Sequence, residues 1–184
     1  LLDAFHTATD GSVAGKSGMP IVSAVRILDV AYAADDLVTD APAALPFALA
    51  VLLAAFGALT APLHSLVLSS VVGVPQQQQA TATQRTVGDS LCDRIAALIE
   101  KDHTDIQQLV LQHNWVTAAG LTTLVRCFRG SLLDVSFNAI DRLDAAGEDA
   151  LRDFVAMNRA LRHIDVSDNA AGTELLLAIA TGLL

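Results

Sequence analysis

One pattern recurs along this 184-residue chain and limits the folds open to it. Aligned on Asn114, Asn138 and Asn169, three segments carry apolar residues five and three positions before the Asn: Leu109 and Leu111, Leu133 and Val135, Ile164 and Val166. Ile106 and Leu161 add a third apolar position to two of them, where the middle copy has Gly130. Looser copies stand earlier, at Leu63-Leu66-Leu68 and Val25-Leu28-Val30, with Val71 and Ala33 in place of the Asn. Apolar residues two apart give a short strand with one buried face. An Asn just beyond it can turn inward and satisfy the backbone of a bend, because its amide both donates and accepts. Stacked copies then form a ladder.

Each strand pattern is followed by a helical one. Val116, Leu121, Leu124, Val125 and Phe128 keep a spacing of three and four, as do Ile140, Leu151, Phe154 and Val155. Helices are expected over Asp144 to Met157 and over Asp89 to Ile99, the latter capped by Asp89 or Ser90.

The five LxxLxLxxN-like segments resemble leucine-rich repeats. The stretch Asn114 to Val125, Asn-Trp-Val-Thr-Ala-Ala-Gly-Leu-Thr-Thr-Leu-Val, resembles the ribonuclease-inhibitor-like subclass. The resemblance implies an α/β leucine-rich repeat solenoid, a right-handed superhelix of about five irregular repeats with parallel strands on the concave face and helices on the convex face. Repeat starts at Val25, Leu63, Ile106, Gly130 and Leu161 are 38, 43, 24 and 31 residues apart. Residues 105–184 are thus the regular part of a repeat domain over 25–184, and residues 25–104 the irregular part. Residues 1–24 read as a flexible or capping segment, and 74–88, with Gln76 to Gln79, as a mobile insert.

Composition fits stacked thin layers: 53% of residues are hydrophobic and only 4% aromatic, so Ala, Leu and Val fill the core. Twenty acidic against 11 basic residues give a formal net charge of −9, and Lys and Arg are scattered singly. Nucleic acid as a partner is excluded on that ground, since phosphate binding needs clustered cations. A basic protein partner suits the balance. Cys92 and Cys127 lack metal spacing and read as small buried hydrophobes in a reducing, cytoplasmic setting. The chain lacks an initiator Met and stops inside an apolar helical pattern, so it is expected to be a fragment of something longer.

Four motifs compete with this reading. Residues 42–62 carry no charge and are long enough for a membrane anchor; they also suit the outer helix of the first repeat, with Pro46 at an early position. Gly11-Ser12-Val13-Ala14-Gly15-Lys16-Ser17 falls one residue short of a phosphate-binding loop and reads as a linker. His6, His64, His103, His113 and His163 show no metal spacing, and no catalytic arrangement is local in sequence. Asp165, Ser167, Asp168 and Asn169 lack the alternation and Gly of a calcium loop. Neither a cofactor nor an enzymatic activity is expected; a non-local catalytic site would show a deep pocket with converging charges.

Between the buried strand residues lie those expected on the concave face. The alignment sets Asp29, Val67, Val110, Asp134 and Asp165 in a central row, Ala31, Ser69, Gln112, Ser136 and Ser167 beside it, and Ile27, Ser65, Gln108, Leu132 and His163 on its other side. Tyr32, His113, Phe137 and Asp168 border the strand ends. The expected partner-binding residues are Asp29, Gln108, Gln112, His113, Asp134, Ser136, Phe137, His163, Asp165 and Ser167. The chain is expected to act as a protein-interaction module or scaffold, its acidic, hydroxyl-lined face accepting Lys, Arg or a helix N-terminus. Simple solvation of those Asp side chains is the competing account.

Overall fold

A computed structural model describes residues 24–28, 47–56, 63–72, 85–101 and 105–184. Within them strand and helix alternate: β1 (Ala24–Leu28), α1 (Phe47–Phe56), β2 (Ser65–Ser69), α2 (Val87–Ile99), β3 (Gln108–Val110), α3 (Ala118–Cys127), β4 (Leu132–Asp134), α4 (Ala145–Met157), β5 (His163–Asp165) and α5 (Thr173–Gly182). The strands form one parallel five-stranded sheet in chain order. Successive helices pack on one another, α1 to α5. The fold class is α/β.

The register follows the repeated pattern over its last four copies. Leu66, Leu109, Leu133 and Ile164 lie side by side across the sheet, and Val67, Val110, Asp134 and Asp165 form the next row. The first copy departs from the alignment by three residues. Val25 pairs with Leu66 and Ile27 with Leu68, so Arg26, not Asp29, stands level with Val67. Apolar residues recur so densely around Val25 that several alignments satisfy the pattern; pairing with β2 chooses among them. Asp29, Ala31 and Tyr32 lie outside the described residues, as do the Gly/Ser stretch at 11–17 and most of the 74–88 insert.

The core runs as one cluster between sheet and helices. Leu66, Leu68, Leu109, Leu111, Leu133 and Val135 come from the strands; Leu91, Ile95, Leu121, Leu124, Leu151 and Phe154 come from the helices. Each such side chain contributes about 1.5–3 kcal/mol by leaving water. In α1, Leu49 and Leu53 join this cluster. Ten residues of helix span about 15 Å, half of a bilayer's hydrocarbon. No helix among the described residues is long and apolar enough to cross a membrane.

The start of α2 corrects two expectations. Its cap is Thr86, and Asp89 is the third helical residue of a capping box: Thr86 Oγ1 accepts from the Asp89 N–H at 3.0 Å, and Asp89 Oδ2 accepts from the Thr86 N–H at 2.9 Å. Residues 85–88 therefore belong to the helix and its approach rather than to a mobile insert, and Arg85 pairs with Asp93 at 2.6 Å. Asp89 also reaches the next repeat. Its Oδ1 accepts from the N–H groups of Thr117 and Gly120, at 2.9 and 3.0 Å, at the start of α3. One fully buried carboxylate thus serves two helix N-termini. Gly120 is required there, because a Cβ would stand 2.5 Å from Asp89 Oδ1. The start of α4 fits its expectation: Asp144 Oδ1 accepts from the Gly147 N–H at 2.7 Å.

The asparagines form the ladder that their spacing implied. Asn114 is buried; its Oδ1 accepts from Val71 and Val72 N–H, and its Nδ2 donates to the Leu68 C=O, all across to the preceding repeat. Asn138 does the same one repeat later, accepting from Asn114 and Val116 and donating to Leu111. Asn169 accepts from Ile140 and donates to Val135. Cys92 is buried, as its helical position suggested, whereas Cys127 is only partly so; both thiols are free.

Candidate functional site

The open side of the sheet gathers most of the residues singled out above. Asp134 and Asp165 are register partners, one strand spacing apart, which is about 4.8 Å. Their carboxylates are anchored alike. Asp134 Oδ1 accepts from the Ser136 N–H and hydroxyl at 3.0 and 2.7 Å; Asp165 Oδ1 accepts from the Ser167 N–H and hydroxyl at 2.9 and 2.6 Å. Each Asp-x-Ser thus closes an Asp-centred turn where the strand ends. That local role accounts for two Asp residues at adjacent positions, where like charges alone disfavour pairing. The Ser167 hydroxyl, then its N–H, hold the Asp165 carboxyl below the usual carboxylate range.

The two carboxylates differ in what they have left to offer. Gln112 Nε2 donates to Asp134 Oδ2 at 2.8 Å, so both Asp134 oxygens are engaged. Asp165 Oδ2 has no hydrogen-bond donor among the described residues, and Asp168 beside it is exposed. Ser136 does not belong to the accessible surface. It is 1% exposed, and its hydroxyl donates to Asp134. Ser167, the same position one repeat on, is exposed. Gln108 and His163 are exposed on the other flank, where the Ser65 hydroxyl donates to Gln108 Oε1 at 3.3 Å.

A second row lies at the ends of the strands. Ser70, His113, Phe137 and Asp168 each stand one residue before the ladder position, and all adopt left-handed backbone, with φ of 53°, 56°, 55° and 52°. The bend takes that conformation in each of these four repeats, at about 1 kcal/mol or more per non-glycine residue. Equal geometry in consecutive repeats aims these side chains alike. The His113 imidazole and the Phe137 ring consequently stack, centroids 4.5 Å apart and planes 18° from parallel. Phe137 is still 45% exposed. Such a pair adds about 0.5–1.5 kcal/mol beyond area burial.

Trp115 was not singled out from sequence. It too has positive φ and is exposed, while its C=O accepts the Thr86 hydroxyl at 2.7 Å. Its place directly after a ladder Asn was the available signal. Arg26 takes the register position that the alignment had given to Asp29. On the helical side, a groove between α3 and α4 is walled by Arg126 and Arg129 opposite Asp149 and Asp153, over Phe154 and Met157.

Comparison with protein-family models, with curated proteins and with solved structures returned no match.

Proposed function

We propose that the chain is a leucine-rich repeat solenoid of the ribonuclease-inhibitor-like subclass, working in the cytoplasm as a protein-interaction module with no catalytic role and no cofactor. The concave strand face is the binding surface. Its contacts are Gln108, Gln112, His113, Asp134, Phe137, His163, Asp165 and Ser167, with Asp168 at the rim. The observation that carries this reading is the exposed His113–Phe137 stack, two rings presented to solvent from left-handed backbone. Aromatic side chains held rigid lose little entropy on binding and dominate interface energetics.

Charge supports the class of partner. The free Asp165 oxygen and exposed Asp168 flank the stack, and the chain carries a net −9. A segment bearing Arg or Lys, its aliphatic stem over the rings and its head on the carboxylates, meets both features.

The test is affinity capture followed by Phe137→Ala and Asp168→Lys. Each is expected to weaken capture on the order of tenfold or more. Nuclear magnetic resonance with an Arg-rich peptide is expected to shift signals of His113, Phe137 and Ser167. Capture unchanged in both variants would sink the proposal.

A further inference from the structure

The outer edge of β5 carries a self-complementary arrangement that the aromatic row does not use. Among the described residues β5 pairs only with β4. The His163 N–H donates to the Ser131 C=O at 3.1 Å, and the Asp165 C=O accepts from the Val135 N–H at 2.9 Å, so both backbones are committed to the β4 side. In a parallel ladder the residue between them turns its N–H and C=O the other way. At Ile164 both groups therefore point to the free edge. The last helix leaves apolar surface exposed. Leu175, Ala178 and Gly182 of α5 are buried, whereas Leu176 and Leu183, seven residues apart on another face, are 61% and 74% exposed. Ile164 and Val166 are half-buried where Leu133 and Val135, their counterparts one repeat earlier, are fully covered.

We propose that this edge pairs with the same edge of a second copy, two β5 strands running antiparallel about a two-fold axis at Ile164. Ile164 then exchanges both backbone hydrogen bonds with its symmetry mate. His163 of each copy falls opposite Asp165 of the other, at the non-hydrogen-bonded positions where side chains stand closest. The pairing makes two imidazole–carboxylate contacts on the open face. Centring it on Asp165 or His163 instead sets like groups against each other and uses backbone already committed to β4. Below the sheet, Ile164 meets Ile164, and Leu176 and Leu183 are covered by the same helix of the mate. An unpaired strand edge disappears. The His113–Phe137 stack stays open, whereas His163 and Asp165 are shared between the pairing and the proposed partner site, which Phe137→Ala and Asp168→Lys probe apart from it.

Sedimentation and light scattering of the full 184-residue chain test this. A concentration-dependent dimer is expected. His163→Asp opposes Asp to Asp twice and raises the dimer dissociation constant on the order of tenfold or more. Leu176→Glu disperses the dimer as well, with circular dichroism unchanged in both, since both residues are exposed. His163→Asp mixed with Asp165→His restores association as a heterodimer, because every contact is again His against Asp. A monomer at all concentrations overturns the pairing. So does a dimer that His163→Asp and Leu176→Glu leave unchanged, or a mixture of well-folded variants that fails to associate. A monomeric chain that loses a foreign protein partner on Leu176→Glu overturns it too, assigning the face to that partner.

Discussion

Asn138 Oδ1 accepts the backbone N–H of Asn114 at 2.9 Å, so the ladder residue of one repeat holds the ladder residue of the repeat before it. The same Oδ1 takes the Val116 N–H at 3.1 Å, and Nδ2 reaches the Leu111 C=O at 2.8 Å. Truncation leaves several partly buried backbone groups without partners. Asn138→Ala is expected to cost about 3 kcal/mol in chemical denaturation, against about 1 kcal/mol for Asn169→Ala, whose surroundings are more open. Equal costs at the two positions would contradict the ladder as described.

Asp89 joins two helices through one buried carboxylate, and no single neighbour can replace it. Asp89→Ala is expected to destabilise by about 3 kcal/mol, more than the roughly 1 kcal/mol typical of a lone cap. Asp89→Asn recovers part of that loss, because an amide still accepts but offers N–H groups where only donors surround it. Asp144→Ala, which removes a cap from α4 alone, is the comparison.

The left-handed bend can be separated from the ring it carries. At Phe137 glycine is expected to be more stable than alanine by about 1 kcal/mol, since only alanine keeps the Cβ penalty at φ of 55°. Paired thermal melts of Phe137→Gly and Phe137→Ala measure this. Both variants lose the stack and are expected to lose partner capture equally.

Ser167 governs the ionisation of Asp165. Ser167→Ala removes the hydroxyl that most lowers the carboxyl's pKa, which is expected to climb toward its ordinary value in a resonance titration. A depressed folded pKa stabilises above the unfolded value of about 4 and loses that contribution as pH falls through the folded pKa. The stability gap between wild type and Ser167→Ala is therefore expected above about pH 4 and to narrow on acidification. A gap that persists in acid would trace the effect to packing.

The two thiols are expected to differ in reactivity. Burial, reinforced by Asp89 and Asp93, pushes the Cys92 thiol well above its ordinary range; burial and Glu100 raise Cys127 less. At neutral pH a thiol reagent should modify Cys127 slowly and leave Cys92 untouched until the chain unfolds. Simultaneous modification in the native state would contradict the buried placement of Cys92.

Much of the fold was legible because its cause is local. Alternation at Leu109 and Leu111, or Leu133 and Val135, dictates a strand with one buried face; three-and-four spacing from Leu121 to Phe128 dictates an amphipathic helix. Asn at a constant offset announces a bend that needs an inward-turned amide. Three matters depended on contacts distant in sequence. Pairing with β2 set the register of β1, which put Arg26 where the alignment had put Asp29. Ser136, which alternation alone would expose, is buried within the stack, whereas Ser167, with the same local hydrogen bonds in the last repeat, is exposed. The reach of Asp89 from α2 to α3 turned an expected cap into a bridge between repeats. The His113–Phe137 stack shows the division most clearly. Both residues were readable as strand-end positions, but only neighbouring repeats in one register, each bent through left-handed backbone, bring their rings to 4.5 Å. A chain records which of its residues seek burial; which distant residues they meet is decided when the layers stack.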